Sequence, residues 1–121
     1  METITIKTSE KKQFIDITSK VNTFLALTGK SYGVCHLFVL HSSSALIIGN
    51  MNISLPDLLQ PFEKITNESY STLSTQFITT LLGVSLTISF QNAELILGNE
   101  QKVILVELAG PTERSIRVTL L

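Results

Sequence analysis

His41 stands where an apolar run ends and three consecutive hydroxyls begin, Ser42-Ser43-Ser44. An imidazole there can act as acid, base or donor, and serine hydroxyls with turn N–H groups can receive anionic oxygens. The segment is therefore suited to a phosphate or a polarised carbonyl; a histidine satisfied by its own turn is the plain alternative. A second constellation lies near the end of the chain, where Glu107-Leu108-Ala109-Gly110-Pro111-Thr112-Glu113-Arg114 combines a carboxylate, a tight turn and a guanidinium. Arg114 can bind phosphate bidentately while Glu107 orients it or acts as a base, or the two can form a structural salt bridge at a sheet end. His36 lies inside the apolar run and reads as a core residue. His36 and His41, five apart on a strand, project to opposite faces and cannot converge on one ion, so no metal is expected. The serines lack a Gly-x-Ser-x-Gly elbow and a third partner for a triad. Gly83, Gly98 and Gly110 are isolated, and no glycine-rich phosphate loop is present.

These groups must be positioned by one core, because 121 residues is a usual size for a single domain, here 1–121. The chain is 44% hydrophobic and 16% charged, apolar-rich for its size, and some of that surface is expected to be covered by a partner. Nine basic against ten acidic residues give a net charge of −1 without a basic face, which argues against nucleic acid as a partner. The single cysteine, Cys35, reads as a small buried hydrophobe in a reducing compartment. Met1 to Lys12 carry charges in place of an apolar signal segment, and no apolar run reaches the ~18 residues that span a bilayer. No membrane partner and a cytoplasmic location are the expectations.

The elements follow from periodicity. Ile4 and Ile6 alternate with polar residues, and Phe14, Ile15 and Ile17 follow a charged break, which predicts two half-buried strands joined by a hairpin-like turn. Asp16 to Thr18 offer N-caps to a helix carrying Val21, Phe24 and Leu25 and ending near Gly29. Tyr32 to Leu40 is apolar on both alternating faces, which predicts a central strand covered on each side. Ala45 to Ile48 is another strand, closed by Gly49-Asn50. Ser54 to Asp57 opens a helix with Leu58, Leu59, Phe62 and Ile65 as its stripe, and Pro61 should shorten or kink it. Thr66 to Gln76 is polar and reads as a surface loop, followed by a short helical piece from Phe77 to Leu82. Strand-prone runs finish the chain at Val84 to Phe90, Leu95 to Leu97 with Lys102 to Leu108, and Ile116 to Leu121. The fold class is α+β, a largely antiparallel β-sandwich with two or three helices.

Several of these segments together resemble the YjbQ-like family. They are Asp16 to Thr18, Phe38-Val39-Leu40-His41-Ser42-Ser43-Ser44-Ala45-Leu46, Leu81 to Leu86, Leu95-Ile96-Leu97-Gly98 with Gln101, and Glu107-Leu108-Ala109-Gly110-Pro111. The family has a histidine followed by two threonines where this chain has His41-Ser42-Ser43, a Leu-Gly-x-Gln step near Leu97 to Gln101, and a Glu-x-Asp-Gly-Pro-Arg turn at Glu107 to Thr112. The resemblance implies a small β-sandwich assembled as a homotrimer with sites near the subunit interfaces. It also implies a weak thiamine-phosphate synthase activity, in which an aminopyrimidine diphosphate loses pyrophosphate to a thiazole phosphate.

On that reading His41 and Glu107 are the catalytic candidates, and Ser42, Ser43, Asn50, Gln101, Gly110 and Arg114 the ligand-binding ones, with no cofactor. The chain also departs from the pattern. Gly49-Asn50 stands for the family's Asn-Glu, Gln76 falls where a family histidine would be, Glu100 replaces a tryptophan, and Ala109 and Thr112 replace an Asp and an Arg. Losing a metal ligand and charged groups removes electrostatic stabilisation of developing charge. The expectation is a divergent homotrimer that binds a small phosphorylated ligand with weak or no synthase activity. A working transferase of that class and a non-catalytic structural or partner-binding trimer are the alternatives.

Overall fold

The computed structural model describes residues 2–66 and 72–121. Eight strands and three helices follow in the order β1 (Glu2–Lys7), β2 (Gln13–Asp16), α1 (Thr18–Thr28), β3 (Tyr32–Val39), β4 (Ser44–Gly49), α2 (Leu55–Thr66), α3 (Thr72–Leu82), β5 (Ser85–Gln91), β6 (Glu94–Leu95), β7 (Lys102–Glu107) and β8 (Glu113–Leu120). The strands form a five-stranded sheet, β1-β8-β3-β5-β6, and a three-stranded sheet, β2-β7-β4. Every ladder is antiparallel, as the α+β reading requires.

One core lies between the sheets, where Ile6, Cys35, Leu37, Val39, Phe90 and Ile116 of the larger meet Leu46, Val103 and Leu105 of the smaller. Helix α1 adds Val21 and Leu25 to it. The other face of the smaller sheet offers Ala45, Ile104 and Val106 to Leu59 of α2 and Ile78 of α3. Because β7 is thus covered on both faces, Val103 to Leu108 are all buried. The predicted caps hold in part: Ser54 Oγ accepts from the Asp57 N–H at the start of α2 and Gly29 ends α1 in the left-handed region at φ 76°, whereas the apolar Ile17 stands at the N-cap of α1, which has no side-chain cap bond.

Several expectations change. β1 and β2 do not form a hairpin; β1 pairs with β8 and β2 with β7, so consecutive strands enter different sheets. β3 is covered on one face only, with Cys35, Leu37 and Val39 buried and Phe38 exposed on the other. His36 lies on that outer face, its Nδ1 3.0 Å from Thr87 Oγ1, and is not a core residue. α2 continues through Pro61 to Thr66. The segment expected to be a loop up to Gln76 is helical from Thr72 onward, while residues 67–71 of it lie outside the described residues. Leu95 to Leu97 does not join the following run: β6 is a two-residue strand paired with β5.

Candidate functional site

The turn after β3 and the turn after β7 meet at one end of the smaller sheet, since Ser44 on β4 is registered opposite Glu107 on β7. Arg114 enters from β8. Its Nε donates to Glu107 Oε1 at 2.8 Å, and its Nη2 donates to Glu107 Oε2 at 2.5 Å and to Ser43 Oγ at 2.8 Å. Thr8, just past β1, donates its hydroxyl to Glu107 Oε1 at 2.8 Å, and the Ala109 N–H donates to Oε2 at 3.1 Å. Glu107 is fully buried and Arg114 nearly so. Burial pushes the Glu107 carboxyl up, but the hydrogen bonds from Arg114, Ala109 and Thr8 and the guanidinium charge outweigh it and hold the carboxyl below its ordinary value. Both carboxylate oxygens are therefore engaged, and the group is set as an acceptor within the protein.

The connection between β7 and β8 is packed as closely. The Gly110 N–H donates to the Lys11 carbonyl and the Thr112 N–H to Thr8 Oγ1. A Cβ at Gly110 would meet the Glu10 carbonyl and lie 2.7 Å from Thr8 Oγ1, so only glycine fits. The Leu108 N–H donates to the Ser43 carbonyl, tying this connection to the one after β3.

His41 is held at β8 one residue along from Arg114, outside the lining of the cleft above Ser43. Its Nε2 accepts the Ser115 N–H at 3.1 Å, and an accepting Nε2 carries no proton, so the neutral ring bears its hydrogen on Nδ1. Above Ser43 a cleft of 390 Å³ is lined by Lys11, Ser42, Ser43, Thr75, Gln76, Leu108 and Ala109. Helix α3 supplies Thr75 and Gln76, and is fastened there by the Thr79 hydroxyl, which donates to the Ser42 carbonyl at 2.9 Å. Of the residues predicted from sequence, Ser42, Ser43, Glu107, Gly110, Arg114 and His41 thus come to one end of the molecule.

Asn50 and Gln101 do not. Gly49 pairs with Lys102 at the far end of the β4 and β7 ladder, five positions from the Ser44 and Glu107 pair, or roughly 17 Å at the rise of an antiparallel strand. There Asn50 Nδ2 donates to Glu100 Oε2 at 3.3 Å, and Gln101 Oε1 accepts the Gly98 N–H at 2.7 Å. Thr8 and Lys11 were not singled out from sequence, because a threonine past a strand and a lysine in a charged break carry no motif. Among the described residues no group of three or more His, Cys, Asp or Glu is placed to hold a metal ion. Cys35 is buried, and burial pushes its thiol up to about 11, which suits the core reading. A larger groove of 710 Å³ between β2 and the start of α2 contains none of the predicted site residues.

The geometry and the chain order agree with known proteins. The family model described as UPF0047 protein YjbQ-like matches residues 2–121. A UPF0047 protein of Methanothermobacter thermautotrophicus is 32% identical over 95% of this chain and 87% of its own, and UPF0047 protein YugU of Bacillus subtilis is 25% identical over 100% and 98%. The crystal structure of an uncharacterised YjbQ/UPF0047 protein of Clostridium acetobutylicum superposes with a TM-score of 0.85 at 26% identity, covering all of both chains. A protein of unknown function from Sulfolobus solfataricus, described as YbjQ-like, gives 0.84 at 27% identity, over 98% of this chain and 94% of its own. With the model spanning nearly the whole sequence and the fold shared with these structures, the chain belongs to the YjbQ-like UPF0047 family.

Proposed function

We propose that this protein binds a small phosphorylated ligand in the 390 Å³ cleft and has weak or no thiamine-phosphate synthase activity. The observation that carries the reading is a cleft lined by the polar residues Ser42, Ser43, Thr75 and Gln76, joined through Ser43 to the buried Glu107 and Arg114 pair. Such donors suit phosphate oxygens. Loss of pyrophosphate asks for more, namely a cation or a strong donor set where charge develops on the leaving group. Gln76 stands at the wall of the cleft where the family pattern has a histidine, and Glu107 is committed to the protein on both oxygens, which leaves it poorly placed to take a proton.

The same reading includes a homotrimer. The Asn50 and Gln101 end of one chain is too far from its own His41 end for one small ligand to span, and a neighbouring copy can bring the two together. Calorimetric titration with pyrophosphate and with a thiazole phosphate tests the binding. Saturable binding that is weakened by Ser42→Ala, without thiamine phosphate formation, is the expected result. No heat with either ligand would leave a structural trimer as the better account, and multiple turnover would favour the transferase.

A further inference from the structure

The buried ion pair and the cleft are linked through one atom, Ser43 Oγ. A guanidinium has only donors to give, so the 2.8 Å contact from Arg114 Nη2 occupies a lone pair of that oxygen and leaves its hydrogen unspent. No hydrogen bond donated by the Ser43 hydroxyl is found among the described residues, and Ser43 lines the cleft. Accepting from a cation also strengthens a hydroxyl as a donor in its turn. The backbone of the connection between β7 and β8 offers no substitute. The N–H groups of Leu108, Ala109, Gly110 and Thr112 go to Ser43 O, Glu107 Oε2, Lys11 O and Thr8 Oγ1, and Pro111 has none.

Building on the phosphate-binding reading, we infer that Arg114 and Glu107 are positioning residues that act through Ser43: they fix its hydroxyl as a polarised donor aimed into the cleft, and Arg114 does not itself touch the ligand. Glu107 orients the guanidinium through two parallel bonds, Arg114 holds Ser43 Oγ, and Ser43 meets an acceptor oxygen. The recognised chemistry is an oxyanion, since the unspent hydroxyl hydrogen, polarised by the guanidinium behind it, favours an acceptor that carries negative charge. The rival arrangement is a direct Arg114 contact with the ligand, and the two differ in how substitutions combine.

The test is a double-mutant cycle in pyrophosphate affinity, measured by calorimetry on the full chain. Ser43→Ala should weaken binding about tenfold, the usual worth of a charge-assisted hydrogen bond, and Ser43→Thr, which keeps the hydroxyl, should stay within about twofold. Arg114→Lys should weaken binding about as much as Ser43→Ala in the parent chain, yet add nothing once Ser43 is alanine. Losses that multiply in the double variant would overturn the inference, as would full affinity in Ser43→Ala. Should Arg114→Lys not fold, nitrogen NMR of the parent chain decides: the Ser43 amide should shift on adding pyrophosphate while Arg114 Nε–H holds still, and the reverse pattern counts against the proposal. A parent chain with no pyrophosphate affinity overturns both this inference and the binding reading; binding that ignores Ser43 overturns this one alone.

Discussion

At the residue scale, the Glu107 and Arg114 pair is costly to break from one side. Removing the charge of Glu107 strands a buried guanidinium, so Glu107→Gln should destabilise the chain by about 3–5 kcal/mol in urea unfolding. The pH dependence has a definite sign. A carboxyl held below its ordinary value in the folded state contributes stability that is present above the unfolded carboxylate range, about 4.3, and is lost as pH falls through its lower folded value. Acid should therefore destabilise the parent chain below about pH 4, and Glu107→Gln should flatten that slope. Ser44 makes the opposite case. Its Oγ is buried with no hydrogen-bond partner among the described residues, so Ser44→Ala should be neutral or stabilise by about 1–2 kcal/mol. The sequence drew attention to His41, Glu107 and Arg114 through residue type alone. It could not reveal Thr8, whose role depends on strands 99 positions apart in the chain coming together at Glu107.

At the element scale, legibility followed burial. Strands with one wet face, such as β1, alternate visibly, and α1 announced its end through Gly29. The serine and threonine content before Gln76 suggested a loop, yet Ile78 of α3 packs against the smaller sheet and tertiary burial overrides that local preference. β3 misled in the other direction: Phe38 made it look covered on both faces, although in this single chain its outer face is open. Gly33 on the same strand has φ 154°, and a Cβ there would lie 2.8 Å from the Leu121 carbonyl and 3.2 Å from the Phe90 ring. That close approach permits the paired bonds between Val34 and Leu121, at 2.9 and 2.8 Å. Gly33→Ala should cost about 1–3 kcal/mol, read as a lower urea midpoint with an unchanged slope.

At the scale of the whole molecule, open apolar surface supports assembly. Leu81 and Ile96 are more than half exposed and Leu27 is 83% exposed, and the outer side of β3 adds Phe38. Burying such residues between copies is the common way for a small, apolar-rich domain to hide them. Light scattering at micromolar concentration should return the mass of three chains, and a monomer there would remove the assembly from the reading. Pairings between sequentially distant strands were the part of the architecture least visible in advance, because period and turn signals describe neighbours along the chain. One of them governs how the protein comes to be made. β8 lies between β1 and β3, so the link that joins β1 to the rest of the larger sheet is supplied by residues 113–120. During synthesis β1 and β3 leave the ribosome early and wait with unpaired edges until this strand emerges. Native structure is therefore acquired after translation of residue 120, the waiting chain is the species exposed to chaperones and aggregation, and a message truncated before that point yields no folded product.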